Sequence, residues 1–282
     1  MRLPIVDIRV LPLIRERDLS LTISLPYCNF RCPWCHVRYI VFPENIIFIE
    51  DKVLRLIIEK CIEKLNLNWV LVTGGEPTLH SKAIYKIFNL CHECGVKCVL
   101  DTNLTNPNVI ELLLDHGLLN YVHCDVKAPI SNVDKYSKIC GLNPKLTSQY
   151  LEQITKSLKL LANSNINLEI RTVVVPNLLT ANDILQIIKD LLEIPIDFNK
   201  AVYVLEQFTP TPTAISKEYR YERATSINYL NTVAKLVKDK YGINVYIRLM
   251  NKFFSDITRS RSIVKDFING KLNPNLWEYT VN

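Results

Sequence analysis

The 282-residue chain has no apolar run long enough to cross a bilayer, because its greasiest stretch, 39–49, is broken by Pro43, Glu44 and Asn45. Its opening residues carry Asp7, Arg9, Arg15, Glu16, Arg17 and Asp18 where a signal peptide would need an unbroken apolar segment, so a cytoplasmic protein with no membrane association is expected. It also lacks a dense block of one charge. The 34 Lys and Arg against 28 Asp and Glu leave a net charge of +6, spread from Arg2 to Lys271. Such a distribution serves solubility and mildly attracts anionic ligands, but it traces neither a nucleic-acid backbone nor a lipid surface. There is no interleaving of basic and aromatic residues of the kind that binds nucleic acid, no internal repeat and no low-complexity tract. With 48% hydrophobic and 22% charged residues the composition excludes a disordered chain, and one main domain with an appendage is expected.

Cysteine, by contrast, is abundant. Nine in a chain without export signals exceed what packing needs, and a reducing compartment argues against a disulfide framework, so some of them are expected to bind metal.

Along the chain, short runs rich in Val, Ile, Leu and Tyr alternate with longer amphipathic stretches. The runs lie at 21–25, 69–72, 96–100, 121–126, 168–175 and 201–207, without strict polar alternation, and are expected to be strands buried on both faces. Between them, 50–65, 81–94, 107–116, 147–162 and 181–193 place apolar residues at helical spacing. Asn106 before Pro107 predicts an N-cap, and Thr180 with Asp183 predicts a capping box. Strand alternating with helix implies parallel strands joined by right-handed crossovers. The expected fold is α/β: a partial, open (β/α)6 TIM-like barrel over 21–210, preceded by an N-terminal arm at 1–20 and followed by a C-terminal α/β extension at 211–282. In the extension we expect a helix over 223–240, a strand over 244–248, a short helix near 260–268 and an irregular tail. Functional groups in such a barrel gather at the C-terminal ends of the strands.

Directly after the first strand stand Cys28, Cys32 and Cys35, with Trp34 just before the third thiol and His36 just after it. One loop with this spacing wraps a compact inorganic core. Soft thiolates suit zinc or iron–sulfur, and zinc would want a fourth ligand, which His36 could supply. A cubane held by three cysteines instead leaves one iron open. Three buried structural thiols are the remaining alternative.

Later strands end in comparably polar segments. After the second comes Gly74-Gly75-Glu76, where paired glycines permit close backbone approach and a carboxylate can accept from an ammonium group. After the third comes Asp101-Thr102-Asn103, and after the fourth Asp125-Val126-Lys127. The fifth contains Arg171 among apolar neighbours, and a buried arginine must have a partner.

In order and identity these motifs resemble the radical S-adenosylmethionine superfamily, and within it the activating enzymes of glycyl radical enzymes, most closely those of anaerobic ribonucleotide reductase. The resemblance covers roughly 21–210. It implies that Cys28, Cys32 and Cys35 bind one four-iron four-sulfur (4Fe-4S) cluster whose open iron chelates S-adenosylmethionine, and that one electron then cleaves the cofactor to methionine and a 5′-deoxyadenosyl radical. It further implies that Trp34, Gly74, Gly75, Glu76, Asp101, Thr102, Asp125, Lys127 and Arg171 form the cofactor site, with Glu76 in the segment that meets the methionine amino group. Asp101 and Asp125 would hold a monovalent cation beside the cofactor carboxylate. The implied partners are a glycyl radical enzyme and a low-potential electron donor. Two departures stand out: Leu104 replaces a customary glycine, and 37–40 lack the polar residues of an activating enzyme.

Cys91, Cys94 and Cys98 repeat the spacing in reverse, but the run crosses from helix through Gly95 into strand, so buried thiols are expected rather than a second metal site. Cys61, Cys124 and Cys140 read as isolated thiols, and His80, His92 and His116 as helix-end residues. Two other functions remain open: a radical enzyme modifying a small molecule or RNA, favoured if the segment after Arg220 closes the barrel mouth, and a non-catalytic, zinc- or cluster-binding relative.

Overall fold

The computed structural model describes residues 1–13 and 18–249. β1 (Arg2–Ile5) and β2 (Asp7–Leu13) precede β3 (Asp18–Leu25), and after the cysteine loop come α1 (Arg38–Val41), β4 (Ile47–Glu50) and α2 (Asp51–Leu65). Strand and helix then alternate as β5 (Trp69–Gly74), α3 (Ser81–Glu93), β6 (Lys97–Thr102), α4 (Pro107–Asp115) and β7 (Tyr121–Asp125). Two helices, α5 (Val133–Cys140) and α6 (Pro144–Ala162), lead to β8 (Asn167–Val174), followed by α7 (Ala181–Leu192), β9 (Val202–Gln207), α8 (Ile227–Tyr241) and β10 (Val245–Arg248).

The main sheet has the order β10-β9-β8-β7-β6-β5-β3-β2. The six expected strands are all present and mutually parallel, β10 adds a seventh parallel strand, and only β2 runs antiparallel, against β3. The segment 1–20, expected as an arm outside the pattern, is therefore woven in: β2 forms an edge of the sheet, and β1 pairs with β4 in a separate ribbon. Pro4 and Pro12 sit in these flanking strands, where a missing N–H is tolerated. The short helix expected near 260–268 and the tail lie outside the described residues.

Alternation along the strands separates two interiors. Outward positions such as Leu21, Ile23, Leu25, Val70, Val72, Leu100, Val122, Ile170 and Leu205 join one continuous apolar core with the helices, each fully buried aliphatic side chain contributing about 1.5–3 kcal/mol. Inward positions are mostly polar: Thr22, Ser24, Thr73, Asp101, His123, Asp125, Arg171 and Glu206 face a common cavity, with Leu71 and Val173 among them. Both faces are thus shielded, as expected, but a period-2 polar alternation is present where the sequence reading found none. It marks a lumen rather than solvent. At the starts of the strands Leu13, Trp69, Val99 and Tyr121 form a small apolar plug.

Local signals account for most boundaries. Thr180 and Asp183 make the full capping box at α7. Asn106 occupies the N-cap of α4 with Pro107 following, but its side chain makes no cap and donates instead to Thr78 Oγ1 at 2.8 Å. The expected helix at 147–162 starts earlier, at Pro144, where Asn143 accepts from Leu146 N.

Candidate active site

The first strand-to-helix loop is short of regular structure and is held from three sides. Asn29 donates to Thr105 Oγ1 and accepts from Asn103 Nδ2, both at 2.8 Å, which fastens the loop to the end of β6. Arg31 N–H donates to the Cys140 carbonyl at 2.8 Å, fastening it to the end of α5. On the third side Glu76 N–H donates to the Tyr27 carbonyl at 2.8 Å and Gly75 N–H to the Leu25 carbonyl at 3.1 Å. Gly74 has φ +128°, and a Cβ on Gly74 or Gly75 would overlap the carbonyl of Leu25 or Tyr27 respectively. Only glycine lets these two backbones meet.

Cys28, Cys32, Trp34, Cys35 and His36 line one cavity of about 260 Å³ together with Gly74, Gly75, Asp101, Thr102, Asp125, Lys127 and Arg171. Of the twelve residues expected to form the cluster and cofactor site, a set that excludes His36, eleven are therefore brought together. Glu76 is the exception: its side chain does not line the cavity. It is fully buried behind the wall, accepting from Thr78 N at 3.0 Å, Thr78 Oγ1 at 2.5 Å, Thr102 Oγ1 at 2.7 Å and Asn103 N at 2.6 Å. Burial raises its pKa, against the pull of these donors. With four donors already on it, the carboxylate ties the ends of β5 and β6 together instead of meeting a ligand.

Electrostatics differ along the wall. Burial pushes the Cys28 thiol up to about 12 and the Cys35 thiol up to about 11, while the neighbouring Cys140 thiol lowers Cys32. Burial, aided by Lys127, pushes His36 down to about 4, so its ring is neutral. Burial also raises Asp101 to about 6 despite Arg171 Nη1 at 3.4 Å, and Thr73 Oγ1 donates to it at 3.0 Å. Lys127 works against the same cost of burial, but Asp125 at 2.7 Å holds it well above the usual lysine range, with its ammonium 5.3 Å from the centre of the Trp34 ring.

Across β8–β10 the charges close on one another. Arg171 Nε meets Glu169 at 2.5 Å, and Arg248 bridges Glu169 at 2.8 Å and Glu206 at 2.7 Å. Against the cost of burial, Arg171, His123 and Arg248 hold Glu169 well below the carboxylate range. His123, Glu206 and Arg248 line the cavity but were not among the candidates. Alternation along 245–248 was the signal that could have found Arg248. Cys140 is fully buried at the end of α5, where its carbonyl accepts from Arg31 N–H; α5, which carries it, went unforeseen, although Gly141 is an ordinary left-handed helix stop.

Leu104 adopts a left-handed backbone conformation, at φ +69°, that favours glycine, and its carbonyl accepts from Ser157 Oγ at 2.6 Å. A leucine held there costs about 1–2 kcal/mol. Among the described residues no three His, Cys, Asp or Glu side chains come together as a site for a single metal ion, whether at Cys28, Cys32 and Cys35 or at Cys91, Cys94 and Cys98. All nine cysteines are free. Three soft donors on one loop, facing a cavity whose wall includes a Trp34 indole N–H buried without a hydrogen-bond partner among the described residues, fit an extended inorganic core with an organic ligand beside it.

Comparison with known proteins agrees. A Methanocaldococcus jannaschii protein provisionally named glycyl-radical enzyme activating enzyme is 30% identical over 239 residues, 84% of this chain and 92% of its own. The pyruvate formate-lyase 1-activating enzyme of Escherichia coli is 26% identical over 155 residues, 53% of this chain and 58% of its own. The crystal structure of Streptococcus suis SuiB bound to precursor peptide SuiA superposes with a TM-score of 0.61 at 17% identity, covering 82% of this chain and 49% of that one, a likeness of fold alone. The Radical SAM superfamily model matches residues 22–191, the span from the first strand of the lumen to the α7 helix, and the chain belongs to that superfamily, which implies a 4Fe-4S cluster and S-adenosylmethionine.

Proposed function

We propose that this protein generates a glycyl radical on a partner enzyme, of the anaerobic ribonucleotide reductase type, by reductive cleavage of S-adenosylmethionine. The observation that carries the reading is the convergence of Cys28, Cys32 and Cys35 with Gly74, Gly75, Asp101, Thr102, Asp125, Lys127 and Arg171 on one cavity. The names of the relatives in Methanocaldococcus jannaschii and Escherichia coli support the glycyl-radical class. When bound, the cluster and its cofactor supply a one-electron cleavage that yields a carbon radical able to abstract hydrogen.

In this reading Cys28, Cys32 and Cys35 are the cluster ligands, which must lose their protons to bind, and the raised thiols couple loading to pH. Gly74 and Gly75 offer backbone at close range, and Trp34 packs beside the cofactor. Lys127 and Arg171 orient its carboxylate. Asp101 and Asp125 hold its polar groups and, between them, a monovalent cation. Glu76 positions Thr102 and the end of β6. Residues 21–210 form the core of the catalytic domain in the cytoplasm, its sheet extended by β2 from the segment 1–20 and by β10 from the segment 211–282, and a low-potential donor delivers the electron.

A second reading, a radical enzyme acting on a small molecule or RNA, is favoured by Arg248, because this residue of the C-terminal extension enters the cavity. Anaerobic reconstitution tests the first. The protein should bind iron and sulfide and, when reduced, cleave S-adenosylmethionine, while Cys32→Ala should do neither. Incubation with a glycyl radical enzyme encoded nearby should then produce a glycyl radical signal in electron paramagnetic resonance. Zinc without iron or sulfide would overturn the chemistry, and cleavage without a protein radical would favour the second reading.

A further inference from the structure

The end of β6 grips the cysteine loop through a closed ring of side-chain hydrogen bonds. Asn29 Nδ2 donates to Thr105 Oγ1 at 2.8 Å, Thr105 Oγ1 donates to Asn103 Oδ1 at 2.7 Å, and Asn103 Nδ2 donates to Asn29 Oδ1 at 2.8 Å. The ring fixes which way the Asn103 amide points. Thr105 N–H, which can only donate, also reaches Asn103 Oδ1 at 3.2 Å, so the oxygen faces Thr105 and the nitrogen faces the loop. Asn103 is buried, and its backbone N–H donates to Glu76 at 2.6 Å, which holds the whole residue in place. Of the two hydrogens on Nδ2, Asn29 takes one. The other meets Cys28, whose sulfur accepts from Asn103 Nδ2 at 3.9 Å and from the Phe30 N–H at 3.3 Å.

We propose that Asn103 is a positioning residue of the cluster site, its side-chain amide donating an N–H···S hydrogen bond to the Cys28 sulfur and so raising the cluster's reduction potential. The inference rests on the reading of Cys28 as a cluster ligand. An amide carries both hydrogens whatever the pH, so the donor does not turn on any titration. A ligand thiolate accepts more strongly than a neutral thiol, because the acceptor is charged. Charge added on reduction spreads onto the sulfurs, so a donor aimed at one of them stabilises the reduced state. One such bond is worth about fivefold in the one-electron equilibrium.

Redox titration of the reconstituted full chain, followed by electron paramagnetic resonance, tests this. Asn103→Ala should hold as much iron and sulfide as the wild type yet be about fivefold harder to reduce, which is ~41 mV at ~59 mV per tenfold for a one-electron couple. Thr105→Val opens the ring but leaves the Thr105 N–H to orient the amide, so its potential should stay with the wild type. Asparagine carrying an isotopic label on its side-chain nitrogen should show a nuclear coupling to the reduced cluster in the wild type and in Thr105→Val, and lose it in Asn103→Ala. Equal potentials in Asn103→Ala and wild type would overturn the proposal. So would equal shifts in the two variants, which would assign the effect to the anchoring of the loop. A wild type without the nitrogen coupling would overturn it too, and that measurement decides even where Asn103→Ala takes up no iron. If the wild type itself held no iron or sulfide, the ligand reading would fail instead.

Discussion

At the tips of β3–β7 the lumen presents groups that protein contacts leave incompletely compensated, whereas across β8–β10 every charge is answered by another. Asp101 and Glu169 both reach Arg171, yet burial raises Asp101 to about 6 while Glu169, gripped by Arg171 and Arg248, is held well below the carboxylate range. The difference separates a surface prepared for a ligand from a brace that keeps the barrel wall in register. A group that awaits a ligand is costly in its absence; a closed ion network is costly only when one member is removed.

The sharpest way to break this contrast is at the close approach of the two backbones. Gly75→Ala should expel the Tyr27 carbonyl and with it the cysteine loop, so that iron and sulfide per chain after reconstitution fall to background. Next in size, Glu169→Ala takes one carboxylate from two buried guanidinium groups, leaving only Glu206 and Asp101 to face them, and urea unfolding of the apo-protein should show a loss of about 3 kcal/mol. Glu76→Gln turns an amide N–H₂ toward donors that now find a carboxylate, and should cost about 2 kcal/mol in the same experiment.

The smallest effect is the most diagnostic. Asp101 has a folded pKa of about 6 against an ordinary 3.8, so the folded state binds the proton more tightly. The stability this contributes is complete below about 3.8 and is lost as pH rises through about 6. The loss should amount to about 1 kcal/mol, because 24% of the side-chain surface remains in solvent and screens the shift. Asp101→Asn should lack it, so unfolding curves measured across that range would converge at the acidic end and separate at the other. Parallel curves would place Asp101 among the compensated groups.

Much of the lumen was legible because its chemistry is local. Cys28, Cys32 and Cys35 share one loop, and the strand-end segments follow strands whose apolar runs are plain. What escaped depended on pairing between distant segments. β2 looked like an arm because its partner, β3, is recognised only in the sheet, and Arg248 gains meaning only opposite Glu206. Glu76 stands in the segment expected to meet a ligand, but its carboxylate accepts from four protein donors that lie on Thr78, Thr102 and Asn103, partners that the sequence order alone does not bring together. α5 and Cys140 were missed for the same reason: nothing in 133–140 announces contact with residues 30–32.

The brace that α5 gives the cysteine loop also orders events in time. Arg31 finds its carbonyl only on Cys140, separated from it by most of three strand-and-helix units. The thiols therefore cannot be set in their final arrangement while the chain is still emerging or half folded, since closing so long a span comes late. Metal acquisition becomes a checkpoint at the end of maturation: chains whose central strands have not docked present a slack loop, and only the finished wall offers a rigid one.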